Sequence, residues 1–245
     1  MLKNVEKMTK NYSPNFNPVK RKKNRIKYLI FHYTGMKSDK LAIKKLINKN
    51  SNVSCHYYIT ISGKIIQMVP DLYIAWHAGK SRWKRDVSLN ENSIGIEISN
   101  PGHANGYRSF SKSQIKSLVV LAKILLKKYK IRGKNILGHS DIAPLRKKDP
   151  GEKFPWRYLA NKKIGIWHKI DEKKLKKIRN KKITKNEILK FIKYLNKIGY
   201  FVKNLSKNKK FKLVKSFQRR FRQKLVNGKI DRECLIIGEK LSKLS

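Results

Sequence analysis

The chain has 245 residues, 40% of them hydrophobic, which is room for one moderate domain plus a small second one and too apolar for a disordered chain. Its 61 Lys and Arg against 15 Asp and Glu give a formal net charge of +46, which permits association with polyanions such as nucleic acid, acidic lipid or an anionic cell wall. The lysines are spread along the chain instead of clustering on one motif, so most are expected to be solvated, and no basic-region or zinc-finger DNA reader is visible.

Residues 1–25 are polar and punctuated by proline, and read as an arm laid on the surface. They hold no apolar run of the signal-peptide kind, so the expectation is a soluble cytoplasmic protein, with a periplasmic one as the alternative. "IKYLIFHY" (26–33) is rich in aromatic and β-branched residues and predicts a buried strand. Ser38 can cap a short helix whose Ile43, Leu46 and Ile47 share a face. "CHYYIT" and "KIIQMV" flank "ISG", a hairpin signature with Gly63 in the turn. "SIGIEIS" (93–99) predicts a second buried strand. Residues 111–130 predict the clearest helix, with a Ser111/Gln114 capping box and a stripe of Ile115, Leu118, Val119, Ala122, Leu125 and Leu126. "KNILG" (134–138) predicts a last short strand. Strands alternating with helices, with a hairpin inside, imply an α/β domain around a mixed sheet flanked by helices over 26–160. Residues 161–182 read as a linker, and 183–245 as a small three-helix module that starts with a Thr184/Glu187 cap.

Cys55 and Cys234 are far apart and no CxxC pair exists, so neither a cysteine zinc site nor a disulfide framework is indicated. Cys55 reads as a small core residue. The unusual stretch is "LGHSDIAPLRKKDPGEKFPW" (137–156), which sets His139 and Asp149 in a loop stiffened by prolines. A metal site needs ligands fixed in advance, and His32 at the end of "YLIFHY" is the obvious third. Glu97 is an acidic residue inside an apolar strand, costly there unless paired or working on water beside the metal. The plainer readings stay open at this point: buried structural histidines, and a Glu97 paired with one of the many lysines. His56 is expected to pack or hydrogen-bond within the sheet, and His103 and His168 to lie on the surface.

Six segments, "IFHYTG", "VSCHYYIT", "AWHAG", "NENSIGIEI", "GHSDIAPLRKKDPG" and "FPW", stand in one order over residues 26–160. In that order they resemble the zinc-dependent N-acetylmuramoyl-L-alanine amidases of the type 2 amidase family, its AmpD/AmiD branch in particular. The resemblance implies one zinc ion per chain on His32, His139 and Asp149, Glu97 as general base and acid, and Lys147 as oxyanion stabiliser. It further implies substrate contacts from Trp76, His77, Arg82 and Asn92, although Trp76 suits core packing nearly as well as a cleft wall. The implied reaction is hydrolysis of the amide between the lactyl group of N-acetylmuramic acid and L-alanine of the stem peptide, in polymeric peptidoglycan or in 1,6-anhydro-muropeptides. A monomer is expected, with no nucleic-acid partner and no transmembrane segment; the rival reading is a recognition protein that binds peptidoglycan without cutting it. "KSFQRRFRQKLVNGKID" also resembles the family's C-terminal peptidoglycan-binding domain. There Phe217, Phe221 and Leu225 are expected to face the module's own core, and Arg219, Arg220 and Arg222 to point outward to the carboxylates of stem peptides.

Overall fold

The computed structural model describes residues 9–244, so residues 1–8 of the expected arm lie outside the described residues. Strands β1 (Thr9–Lys10) and β2 (Phe16–Asn17) precede β3 (Tyr28–Tyr33), and helix α1 (Asp39–Ile47) follows. Next come β4 (Tyr57–Ile59), β5 (Ile65–Gln67), β6 (Ile74–Ala75), β7 (Arg82–Trp83), β8 (Asp86–Val87) and β9 (Ser93–Ile98). The chain continues through α2 (Lys112–Tyr129), β10 (Ile136–Gly138), α3 (His139–Ile142) and α4 (Trp156–Asn161). It then runs through α5 (Glu172–Ile178), α6 (Lys185–Ile198), α7 (Lys207–Phe221) and α8 (Arg232–Ser242).

A six-stranded mixed sheet in the order β1-β5-β4-β9-β3-β10 forms the centre. β10, β3, β9 and β4 run parallel, and β4 turns back antiparallel into β5. The turn needs Gly63, whose φ is +87° and whose missing Cβ would sit 2.7 Å from the Ser113 carbonyl oxygen. Both inner strands are apolar on both faces because both faces are covered. Leu29 and Phe31 of β3, with Ile94 and Ile96 of β9, pack under Leu118, Leu121, Ala122 and Leu125 of α2. That helix begins with the expected Ser111/Gln114 capping box. The alternate residues Tyr28 and Ile30, with Leu137, face the opposite way, into a second core shared with Phe191, Leu213, Phe217 and Phe221 of the C-terminal helices. The same alternation puts His32 on that second face.

Three local expectations change. Residues 9–25 are woven into the domain: β1 extends the sheet beside β5, β2 pairs with β6, and Ser13, Asn15 and Arg21 are buried. The stretch 161–182 carries α5 and buries Ile164, His168 and Leu175, so His168 is not a surface residue. Most consequentially, Arg219, Arg220 and Arg222 do not point outward. Arg220 is 2% exposed and pairs with Asp141, while Arg222 pairs with Asp231. The reason is helical geometry: Arg220 stands three residues after Phe217 and so shares its inward face. Helix α7 ends at Phe221, leaving Leu225 outside it and only partly buried.

Candidate metal centre and active-site cleft

The carboxyl ends of the parallel strands β3, β9 and β10 lie at one edge of the sheet, the usual place for a site in such a sheet. Gly138 pairs with Phe31, so the next residue, His139, comes level with His32. His32 pairs with Glu97 across β3 and β9, and residues paired across neighbouring strands share a face. After α3 the chain loops back, closed where the Ser140 amide donates to the Asp149 carbonyl at 2.8 Å.

His32 Nδ1 thus lies 2.9 Å from His139 Nδ1 and 3.2 Å from Asp149 Oδ2, and the last two atoms are 3.0 Å apart. All three residues are buried and form a group able to hold a metal ion. His139 Nε2 lies 3.1 Å from the Ala78 carbonyl oxygen and 3.3 Å from Arg146 Nη2, so the ring is held from its far side while Nδ1 faces the cluster. Two ring nitrogens and a carboxylate oxygen gathered this closely are a donor set that a cation would complete. The spacing suits one, because donors at 2.0–2.1 Å from a tetrahedral zinc ion stand roughly 3.3 Å from each other.

Burial, then the facing His139, brings His32 down to about 4, so its ring is neutral at ordinary pH. Burial alone would raise Asp149, but His139 and His32 outweigh it and hold the carboxyl far below the usual range. The site therefore presents a neutral His32 imidazole beside a negatively charged Asp149 carboxylate. Glu97 behaves oppositely. Burial, reinforced by Asp149 and opposed by Lys147, pushes its carboxyl up to about 8. Its Oε2 is enclosed and has no hydrogen-bond partner among the described residues.

A cleft of about 380 Å³ opens over these groups, with Trp76, Glu97, His139, Lys147 and Asp149 in its lining. Lys147 is half-buried there, and Lys45, Arg146 and Lys148 make the mouth basic. Trp76 is half-buried on the wall, whereas His77 is 7% exposed and holds His32 Nε2 at 3.0 Å. His56 serves the sheet as expected, accepting from the Gly95 amide and donating to the Tyr73 carbonyl.

The other two expected substrate contacts stand elsewhere. Arg82, carried off by the β7–β8 hairpin, lies 4.0 Å over the Phe201 ring beside a separate groove. Asn92 is buried immediately before β9, at the opposite end of the strand from the cleft. His103, expected on the surface, is half-buried at the cleft edge, with Nδ1 2.9 Å from the Tyr33 hydroxyl. Asn90, the first residue of "NENSIGIEI", carries a role that the sequence does not assign to it. Its Oδ1 accepts from the amides of His77 at 3.1 Å and Ala78 at 2.7 Å, fixing the segment that meets both histidines. The polar cluster "SLNENS" ahead of an apolar strand was the available signal. Arg146, also missed, donates to the Lys80 carbonyl at 2.8 Å and to that of Ala78.

A family profile described as N-acetylmuramoyl-L-alanine amidase matches residues 22–152. The chain is 36% identical over 230 residues to N-acetylmuramoyl-L-alanine amidase AmiD of Escherichia coli K12, covering 89% of this chain and 82% of that one. It is 38% identical over 113 residues to the 1,6-anhydro-N-acetylmuramyl-L-alanine amidase AmpD of the same organism, covering 45% of this chain and 60% of AmpD. The structure of E. coli AmiD, complexed with anhydro-N-acetylmuramic acid-L-Ala-D-gamma-Glu-L-Lys, superposes with a TM-score of 0.80 at 33% identity, over 93% of this chain and 92% of that one. AmpDH3 of Pseudomonas aeruginosa superposes at 0.78 and 30% identity, over 93% and 94%. With the profile spanning more than half its length and AmiD matched nearly end to end, the chain belongs to the N-acetylmuramoyl-L-alanine amidase family.

Proposed function

We propose that this amidase uses one zinc ion, held by His32, His139 and Asp149, to cut the amide between N-acetylmuramic acid, in its 1,6-anhydro form above all, and L-alanine of a stem peptide. The observation that carries this reading is the meeting of two imidazole nitrogens and a carboxylate oxygen within 3.2 Å, in one cleft with the unpartnered Glu97 Oε2. When bound, zinc supplies Lewis acidity for activating water and polarising the scissile carbonyl. Glu97 takes a proton from the attacking water and hands it to the amide nitrogen as the C–N bond breaks, releasing a carboxylic acid and a free amine. A carboxyl already poised near neutrality by burial suits both halves of that transfer, and a neighbouring cation draws its value downward. Lys147, in the same cleft, offers its ammonium to the oxygen on which negative charge develops.

The AmiD complex holds an anhydromuramyl peptide and an AmpDH3 complex an anhydromuramic pentapeptide, which supports the same substrate class here. Lys45, Lys147 and Lys148 at the mouth complement the carboxylates of such a peptide. Residues 183–245 act in this reading as a brace rather than a wall anchor, because the arginines available to meet stem peptides are spent in buried ion pairs. Ser216 donates to the Ser140 carbonyl at 2.6 Å and Gln223 to that of Phe154 at 2.6 Å, so the module grips the loop that carries the ligands. Among the described residues no helix is long and apolar enough to cross a membrane.

Elemental analysis should find one zinc per chain, and mass spectrometry should find L-alanyl peptides released from purified anhydro-muropeptide, with whole sacculi cut more slowly. Retention on sacculi with no product from either substrate would favour the recognition protein instead.

A further inference from the structure

We propose that His77 is a positioning residue for the metal centre, fixing His32 in the tautomer that turns a bare Nδ1 toward the ion. The proposal rests on His32, His139 and Asp149 being the metal-binding group.

A neutral His32 has two tautomers with opposite consequences. With the proton on Nδ1 the ring would donate into the cluster, to His139 or Asp149, and block the ion. With the proton on Nε2 it presents a lone pair to the ion. Hydrogen-bond directions outside the cluster decide between them. Ser93 Oγ lies 2.5 Å from the Leu89 carbonyl, which only accepts, so the hydroxyl proton goes there. Ser93 Oγ is then left to accept at its other contact, 3.2 Å from His77 Nε2, which places the His77 proton on Nε2. His77 Nδ1, now the acceptor, lies 3.0 Å from His32 Nε2 and takes that proton. The chain of donors runs outward from His32 through His77 and Ser93 to a backbone carbonyl, and every step leaves His32 Nδ1 unprotonated. A carboxylate or carbonyl usually fills this outer role. A neutral imidazole orients the ligand without adding a second negative charge to the one on Asp149.

The packing shows that the ring is seated there and is not a loose wall of the cleft. A Cβ on Gly95 would lie 2.4 Å from His77 Cγ, so the glycine of "SIGIEI" leaves the space the ring fills. The Asn90 side chain holds the amides of His77 and Ala78, and the Ala78 carbonyl oxygen lies 3.1 Å from His139 Nε2. One short segment thereby orients both histidine ligands.

Zinc affinity of the full chain, measured by competition with a chromophoric chelator, tests this together with nitrogen-15 long-range NMR of the histidine rings in the zinc-loaded protein. His77→Phe should weaken zinc binding roughly 10- to 100-fold. Ser93→Ala, which removes only the far acceptor, should weaken it by a smaller factor, about threefold, with KM unchanged. The spectra should show His77 protonated on Nε2. Wild-type zinc affinity in His77→Phe, a raised KM with unaltered affinity, or an Nδ1-protonated His77 would overturn the proposal. Should His77→Phe fail to fold, Ser93→Ala and the spectra still decide. A wild-type chain that binds no zinc would bring down the metal reading itself, whereas one that binds zinc as well with His77→Phe as without brings down this inference alone.

Discussion

Two buried polar clusters hang on one short stretch, residues 136–150, and they are built on opposite lines. Around Asp141 each acceptor meets a donor. Oδ2 accepts from the Gly138 amide at 2.7 Å and Arg220 Nη1 at 2.6 Å, and Oδ1 from the Tyr200 hydroxyl at 2.5 Å. Arg220 Nη2 donates to the Ile136 carbonyl at 2.7 Å, while its Nε is enclosed without a partner among the described residues. Around Asp149, eight residues on, two imidazole nitrogens and a carboxylate oxygen converge on each other. The first cluster sets one positive charge against one negative charge; the second gathers three ligand atoms around Asp149, and in the proposed reading a cation completes it. Burial of charge alone does not distinguish brace from site, and the presence of a facing counter-charge does.

The sharpest way to test that contrast is to remove a member of the unbalanced cluster. His139→Ala should abolish zinc binding and turnover, by about 10⁴-fold or more, since the metal supplies most of the activation. Its effect on the chelator-treated protein should be the reverse of a core mutation: unfolding stability unchanged or slightly raised, because one of three crowded ligand groups is gone. Full zinc occupancy by elemental analysis, or a large stability loss in the metal-free protein, would show that His139 is a structural histidine.

Glu97→Gln should keep zinc and lose turnover by roughly 10²–10⁴-fold. It also carries a signed pH effect. The folded carboxyl titrates at about 8 against an ordinary 4.5, so between those values the unfolded chain has released the proton that the folded one keeps. The contribution of Glu97 to stability is therefore intact below pH 4.5 and lost as the pH rises through 8. In metal-free protein, Glu97→Gln should match wild type near pH 5 and exceed it at pH 9 by on the order of 3 kcal/mol, read from chemical denaturation. Parallel curves at both pH values would mean that Glu97 finds a partner in solution.

The two clusters were not equally legible in the sequence. The His32, His139 and Asp149 set could be read because its members end apolar strands or stand in a proline-stiffened loop, where a polar residue is out of place. Glu97 stood out for the same reason. The Asp141 cluster could not, because Asp141 looks like any loop acid and Arg220 like one more cation among 61. Their pairing crosses 79 residues, a separation local patterns do not span. The inward turn of Arg220 was readable from its spacing to Phe217, but the abundance of solvated cations hid it. Asn90 and Ser93 aim other groups, and the polar cluster "SLNENS" that holds them marks a place without telling which member does the aiming. Arg82 and Asn92 were placed by resemblance without a geometric check, and the strand end on which Asn92 sits settles its position.

Arg220→Met probes the balanced cluster from the other side. The substitution keeps most of the buried volume and strips Asp141 of its counter-charge, which should cost roughly 3–5 kcal/mol of stability. Pairing it with Asp141→Asn should return part of that loss, since no buried charge is then left alone. Below the unfolding transition, zinc affinity should stay at the wild-type level. A stable Arg220→Met protein that has lost zinc would mean that the brace is energetically part of the site.

Tyr200→Phe is the mildest probe and the cleanest. The Tyr200 ring packs edge-on against Trp83, with centroids 4.9 Å apart, and lies beside Phe217, and phenylalanine preserves both contacts. Burial and the facing Asp141 push the phenol well above its ordinary value, so the hydroxyl is a donor throughout the working pH range. What the variant loses is one hydrogen bond to a charged acceptor, about 1.5–3 kcal/mol, with no cavity beyond a single oxygen. Asp141 keeps its contacts with Arg220 and the Gly138 amide, which should hold the loss below that of Arg220→Met. Thermal unfolding should register the change while kcat/KM and zinc affinity do not move, because the carboxylate stays in place and the ligand loop with it. If kcat/KM falls while the unfolding midpoint holds, the two clusters act as one device and the distinction between a completed brace and an open site fails.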